Sequence, residues 1–168
     1  MSPVPAEAEK NISNATVKCR EYKNQFFIMV FSETKIRVRY GETDQMGYCY
    51  YGNYAQYYEV GRADAMRSLG MSYREMEDRG VFMPIVSMSC RYFRPAHYDD
   101  LLTVKTIVKN IPAARMHFYY EIVNQEGLLI NSGETILAFI SKKTNRPCPA
   151  PDWFLEPLKK RLEENHEA

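Results

Sequence analysis

The sequence predicts an α+β domain in which one face of an antiparallel β-sheet is laid over one main helix. Three observations carry this. A strand-like segment precedes a single long helical pattern. Four strand-like segments then follow with no long helix between them. Thirteen Tyr and eight Phe in 168 residues are a heavy aromatic load, favouring strands and aromatic-lined pockets over a helical bundle.

Residues 1–24 are polar, carry Pro3 and Pro5 and lack periodicity, so they are predicted to form a flexible arm. Residues 25–168 are predicted to be a single domain, the length being ample for one core and short for two. Within it, Gln25 to Phe31 is an apolar run, and Lys35 to Tyr40 alternates as a half-buried strand does. A turn-rich stretch leads into a helix for which Asn53 is the expected N-cap, with Gln56 completing a capping box. Tyr54, Tyr57, Tyr58, Gly61, Ala65 and Leu69 fall on one helical face, with Gln56, Glu59 and Arg67 on the remainder. Gly61 inside a helix costs about 1 kcal/mol against Ala, which predicts that another backbone passes close to it. Gly70 is the expected C′ residue, and a short helix over Tyr73–Asp78 stops at Gly80.

The remainder reads as strand: Val81–Phe93, Leu101–Val108, Arg115–Val123 and Leu128–Ser141. Asn124-Gln125-Glu126-Gly127 is a hairpin turn, and Gly133 marks a bulge or a close approach. Trp153–Glu164 closes the chain as a helix with Leu155, Leu158 and Leu162 on one face. A sheet this long and apolar, covered by one helix, leaves an edge or face for a partner subunit, so a homo-oligomer is expected.

Composition narrows the function. Twenty-two basic against twenty-one acidic residues leave a formal net charge of +1, with no global field to steer nucleic acid or an anionic membrane. No apolar run is long enough to span a bilayer, and the N-terminus has no apolar signal region. Cys19, Cys49, Cys90 and Cys148 are scattered without metal-ligand spacing, which predicts reduced thiols, a cytoplasmic location and no metal site. The glycosylation sequons at Asn11 and Asn14 are accordingly read as coincidental.

Chemistry concentrates in Gly41–Arg62, which reads GETDQMGYCYYGNYAQYYEVGR. Asp44 stands on the connection between a strand end and a helix start, in a turn holding Gly47 and Gly52, where functional carboxylates concentrate. The following helix presents unpaired N–H groups and the positive end of its dipole. A carbonyl oxygen held there would be polarised by about 3 kcal/mol per donor. An acid beside an electrophilic helix end is a minimal acyl-transfer site, although turn-forming alone also accounts for Asp44. Cys49 has no basic partner beside it in sequence and is not expected to be a nucleophile.

The segment resembles the signature of the 4-hydroxybenzoyl-CoA thioesterase family of the hot-dog fold. The matching residues are Tyr40, Thr43-Asp44, Gly47, Tyr48-Cys49-Tyr50-Tyr51, Asn53-Tyr54, Glu59 and Arg62. Arg94-Pro95-Ala96 and Asp99-Asp100-Leu101-Leu102 resemble the family's link between two sheet strands. The resemblance implies a sheet wrapped around a central helix and hydrolysis of an acyl-CoA thioester to free acid and CoA. Asp44 would be nucleophile or general base, and the Tyr51 backbone N–H would polarise the carbonyl. Many relatives carry His where this chain has Tyr51, so no imidazole accompanies the carboxylate.

Gly47, Asn53 and Tyr54 are further candidates for the substrate site, although Asn53 also serves as a cap and Tyr54, Tyr57 and Tyr58 also read as core. Glu59 and Arg62 read as a pair across a solvated face. Lys142, Lys143 and Arg146 are the first candidates for the CoA phosphates, with Arg91, Arg94 and Arg115 behind them. Met46, Met83, Met88 and the tyrosines suit an adaptable acyl pocket. CoA belongs to the substrate, so no cofactor is expected. Acyl carrier protein is an alternative carrier, and a non-catalytic acyl-binding protein is the alternative to an enzyme. A hydratase would need an Asp–His pair, and His97, His117 and His166 all lie outside the helix-entry segment. Either a dimer or a dimer of dimers (a homotetramer) fits the expected oligomer.

Overall fold

The computed structural model describes residues 29–164. The predicted arm, Cys19, both sequons, His166 and residues 25–28 of the first apolar run lie outside the described residues. Strand β1 (Met29–Arg37) is followed by a 3-10 turn over Tyr40–Glu42 and then by helices α1 (Asn53–Ser68) and α2 (Tyr73–Asp78). Strands β2 (Val81–Phe82), β3 (Ile85–Tyr92), β4 (Leu101–Val108), β5 (Arg115–Val123), β6 (Leu129–Ala138), β7 (Ile140–Ser141) and β8 (Arg146–Pro147) come next, before helix α3 (Asp152–Glu164).

Five strands make the main antiparallel sheet in the order β1-β4-β5-β6-β3, and β2-β7-β8 make a small second one. The long strands expected over Val81–Phe93 and Leu128–Ser141 are each divided. The first breaks at Met83-Pro84, where proline has no N–H for a ladder. The second breaks at Phe139, whose N–H turns to the Ala114 carbonyl at 3.3 Å. Their outer pieces then pair with each other, Val81 with Ser141 and Phe82 with Ile140.

Period-two patterning explains the burial. Met116, Phe118, Tyr120 and Ile122 of β5 point inward, while Arg115, His117, Tyr119 and Glu121 do not. Helix α1 buries Tyr54, Tyr57, Tyr58, Gly61, Ala65 and Met66 in the same core. Tyr58 stacks on Tyr120 with centroids 4.2 Å apart and rings inclined by 10°. Such a pair adds about 0.5–1.5 kcal/mol to what its buried area already contributes.

The two interior glycines have packing reasons. A Cβ on Gly61 would stand 2.8 Å from both Thr106 Oγ1 and Val104 Cγ1, so side chains of β4, not a backbone, are what pass close. A Cβ on Gly133 would meet the Tyr58 hydroxyl and the Ser89 carbonyl, so close approach is the reason there, and the bulge of β6 against β5 lies elsewhere, at Ile122/Val123. Helix α2 starts at a Ser72–Glu75 capping box, and Gly70 and Gly80 both take positive φ beyond helix ends. Arg62 departs from expectation. It is 6 % exposed, and only its Nη2 approaches Glu59, at 3.5 Å, so it belongs to the interior and not to a solvated face.

One edge of the main sheet is unusual. Strand β3 pairs only with β6, and Ile85, Val86, Met88 and Tyr92 on it are exposed.

Candidate active site

The loop between β1 and α1 folds back on itself. The Tyr50 N–H donates to the Glu42 carbonyl at 2.8 Å, and the Asp44 N–H donates to the Tyr48 carbonyl at 3.1 Å. A tight turn over residues 44–47 closes when the Gly47 N–H donates to the Asp44 carbonyl at 2.9 Å. Gly47 sits at φ 80°, a left-handed conformation that a side chain would strain. The loop is pinned to the segment after β3, because the Cys49 N–H donates to the Ala96 carbonyl at 2.7 Å and Tyr48 bridges to His97.

Asp44 is therefore partly a turn residue. Its Oδ1 accepts the Met46 N–H at 2.9 Å. Its Oδ2 has no hydrogen-bond partner among the described residues, and the side chain borders a cleft of about 410 Å³. The loop contributes Asp44, Met46, Tyr48 and Cys49 to that cleft, the entry to α1 contributes Tyr51 and Tyr54, and the chain leaving β3 contributes Tyr92, Phe93, Arg94 and Pro95. Half of the lining residues are thus aromatic, with one carboxylate and one guanidinium among the rest. Arg94 also donates from Nη1 to the Leu129 carbonyl at 3.2 Å.

Tyr51 stands two residues before the first residue of α1. Its N–H has no acceptor among the described residues, whereas its carbonyl accepts the Tyr92 hydroxyl at 3.1 Å. Two residues that border the cleft, Asp44 and Tyr51, thus each keep one polar backbone or side-chain atom without a partner among the described residues, a carboxylate oxygen and an N–H, which are the group types acyl transfer uses. The buried Tyr54 hydroxyl is pushed well above the usual range by burial and stays protonated. Burial likewise pushes the Cys49 thiol up, so no thiolate is available beside Asp44.

The other anticipated residues take different places. Gly47 shapes the turn, and its carbonyl lies 3.1 Å from His97 Nδ1. Asn53 is not the N-cap. Gly52 takes that position, no side chain caps the helix, and the Asn53 Nδ2 instead donates to the Glu42 carbonyl at 2.7 Å. Lys142, Lys143 and Arg146 are exposed on and around the β7–β8 turn and do not border the Asp44 cleft of their own chain. Among the described residues, no three His, Cys, Asp or Glu side chains gather closely enough to hold a metal ion.

Glu42, Tyr92 and Phe93 carry no local sequence signal for their roles. Glu42 looks like a polar turn residue, yet it is buried and accepts the Arg39 N–H at 2.8 Å, the Arg39 guanidinium and the Tyr57 hydroxyl at 2.9 Å. Burial by itself would raise the Glu42 pKa. The Arg39 bonds, from side chain and backbone, and the Tyr57 hydroxyl more than offset this and hold the carboxyl below its usual range.

The sequence profile of the thioesterase-like superfamily matches residues 38–158. The chain is 34% identical over 129 residues to a protein of Bacillus subtilis described as the putative acyl-CoA thioesterase YneP, covering 74% of this chain and 94% of that protein. It is 28% identical over 116 residues to the acyl-CoA thioester hydrolase YbgC of Escherichia coli, covering 69% and 87%. Among solved structures, a DHNA-CoA thioesterase from Staphylococcus aureus superimposes with a TM-score of 0.73 at 38% identity, covering 81% of this chain and 93% of that one.

Proposed function

The chain belongs to the thioesterase-like superfamily and has its hot-dog fold, and on that premise we propose that it hydrolyses an acyl-CoA thioester at the Asp44 cleft, giving a free carboxylic acid and CoA. The observation that supports this is the pairing of an unpartnered Asp44 Oδ2 with an unpartnered Tyr51 N–H on one aromatic-walled cleft. In the reaction, the Tyr51 N–H donates to the thioester carbonyl oxygen, where negative charge develops. Asp44 then acts in one of two ways. As a nucleophile its carboxylate adds to the carbonyl carbon, the C–S bond breaks to release the CoA thiolate, and water hydrolyses the resulting anhydride. As a general base it takes a proton from the water that attacks the same carbon, the C–S bond then breaks, and the proton passes to the departing CoA thiolate. Either route consumes only thioester and water, so no cofactor is needed.

Arg94 is the basic residue on the cleft wall available to an anionic part of the substrate. Lys142, Lys143 and Arg146 would serve the CoA phosphates only where a second subunit brings them to this cleft. The exposed apolar edge of β3 supports such an assembly, since an open, apolar edge strand is a template for pairing with a second copy. A dimer through β3, doubled or not, is the proposed oligomer. No helix among the described residues is long and apolar enough to cross a membrane. The free thiols of Cys49, Cys90 and Cys148 accord with the proposed cytoplasmic location.

The test is a thiol-release screen over acyl-CoAs of varied length and aromaticity, with matched acyl carrier protein thioesters alongside. Turnover of at least one CoA thioester, faster than its carrier-protein counterpart, is the expected result. Preference for the carrier-protein thioester would change the carrier and keep the chemistry. Tight acyl-CoA binding without hydrolysis across the panel would make the protein an acyl-binding module.

A further inference from the structure

We propose that Glu42 is the positioning residue of the Asp44 loop: its buried carboxylate and its main-chain carbonyl together clamp the loop to α1 and so set where Asp44 stands relative to the Tyr51 N–H. The proposal rests on the thioesterase reading above and adds a residue that does not border the cleft.

The clamp has two teeth on one helical face. Asn53 and Tyr57 are four residues apart, which brings their side chains to the same side of α1. Asn53 Nδ2 donates to the Glu42 carbonyl at 2.7 Å, and the Tyr57 hydroxyl donates to Glu42 Oε2 at 2.9 Å. The same Glu42 carbonyl accepts the Tyr50 N–H at 2.8 Å, joining the two ends of the loop. The Arg39 N–H donates to the same Oε2 at 2.8 Å, and the Arg39 Nε donates to Oε1 at 3.0 Å. Cys49 Sγ also lies 3.5 Å from the Tyr57 hydroxyl, and the Asn53 N–H donates to the Tyr50 carbonyl at 3.0 Å, but the shortest side-chain links between the loop and the helix converge on Glu42, two positions before Asp44.

Chemistry argues that this is more than filler. Taking a carboxylate out of water is costly, and an apolar side chain of similar volume would serve a purely structural site as well or better. The buried carboxylate instead accepts donors from Arg39 and Tyr57 and fixes an orientation, which an apolar side chain cannot do. Orientation matters at Asp44 because a displacement on the order of 1 Å costs up to about 10²-fold in rate.

The test uses the full chain and the acyl-CoA that it cleaves fastest, with kcat, KM and Tm measured for each variant. Glu42→Ala is expected to lose about 10-fold to 10²-fold in kcat while KM stays within about twofold. Glu42→Gln keeps an acceptor for the Tyr57 hydroxyl and is expected to restore kcat to within about fivefold of wild type. Tyr57→Phe should lower kcat as well, and the Glu42→Ala/Tyr57→Phe double variant should fall little further than Glu42→Ala alone, because the 2.9 Å bond to Glu42 is the main tie of the Tyr57 hydroxyl and the 3.5 Å contact to Cys49 Sγ the lesser one. Tyr120→Phe is the control: it removes the buried Tyr120–Thr135 hydrogen bond of 2.7 Å, outside the loop, and should lower Tm with kcat unchanged.

A folded Glu42→Ala protein with wild-type kcat overturns the proposal, as does a Tyr120→Phe protein whose kcat falls in step with its Tm. If Glu42→Ala does not fold, Tyr57→Phe decides the matter, and unchanged kcat there overturns the proposal. Asp44→Asn in the same assay separates the two readings. Loss of rate in Asp44→Asn beside an unaffected Glu42→Ala removes this proposal alone, no loss in Asp44→Asn removes the Asp44 site together with it, and no hydrolysis of any acyl-CoA by wild type removes the thioesterase reading.

Discussion

The Tyr92 hydroxyl donates to the Tyr51 carbonyl across 3.1 Å, so the end of the edge strand β3 holds the segment through which the chain enters α1. The two residues lie far apart in sequence and touch again through their rings, whose centroids are 6.5 Å apart in an edge-on arrangement. The donor assigned to the substrate carbonyl is the N–H of that same Tyr51.

Tyr92→Phe keeps the ring and deletes only the hydrogen bond. Its kcat is expected to fall about threefold to tenfold, with little change in Tm because the site is half-exposed. Steady-state kinetics on the preferred acyl-CoA checks this, and an unchanged kcat would detach Tyr92 from the site.

Gly47→Ala tests the turn. Nothing stands within 4 Å of the added Cβ, so the only penalty is the φ of 80°. That strain is about 1–2 kcal/mol. Thermal melts should show a loss of that size, and kcat should drop because Asp44 begins the same turn. Gly47→Asn, which tolerates the left-handed region better, should do less harm on both measures.

Gly61→Ala sets two effects against each other. Helix propensity favours Ala by about 1 kcal/mol. Forcing a Cβ to within 2.8 Å of the Thr106 and Val104 side chains costs about 1–3 kcal/mol of overpacking. Packing is expected to win, so Tm should fall. A rise in Tm would mean that β4 gives way at no cost.

The Glu42 carboxyl, held below its usual range, makes stability depend on acid. A depressed folded pKa contributes stability that is fully present above the unfolded value, about 4.3, and is lost as pH falls through the folded value. Wild-type Tm should therefore decline more steeply between about pH 6 and pH 3 than that of Glu42→Gln, which has no proton to gain. Parallel curves would show that the folded protein does not hold the Glu42 carboxyl below its unfolded value.

Much of this architecture is legible in the sequence because its causes are local. The faces of α1, the strands β4 and β5 and the turn at Asn124–Gly127 follow from periodicity and turn residues. The divided strands do not, because Val81–Phe93 and Leu128–Ser141 break only where their ends find each other in the small sheet. Asn53 carries the sequence mark of a cap, yet a carbonyl eleven residues earlier takes its side chain. Arg62 looks like half of a surface pair and is buried, since the charge pattern of a helix does not reveal what packs above it. At the candidate site, Asp44 and Tyr51 are proposed from the resemblance of one short segment. Glu42 and Tyr92 are marked only by contacts across the fold, to which sequence spacing is blind.

The role of Asp44 is measured most directly by thiol release from wild type and Asp44→Asn. Asn can still accept the Met46 N–H, so the turn and Tm should be preserved while the carboxylate is lost. The expected result is a rate reduced by about 10²–10⁴-fold on the acyl-CoA that wild type cleaves fastest. Undiminished turnover by a correctly folded Asp44→Asn protein would contradict the account.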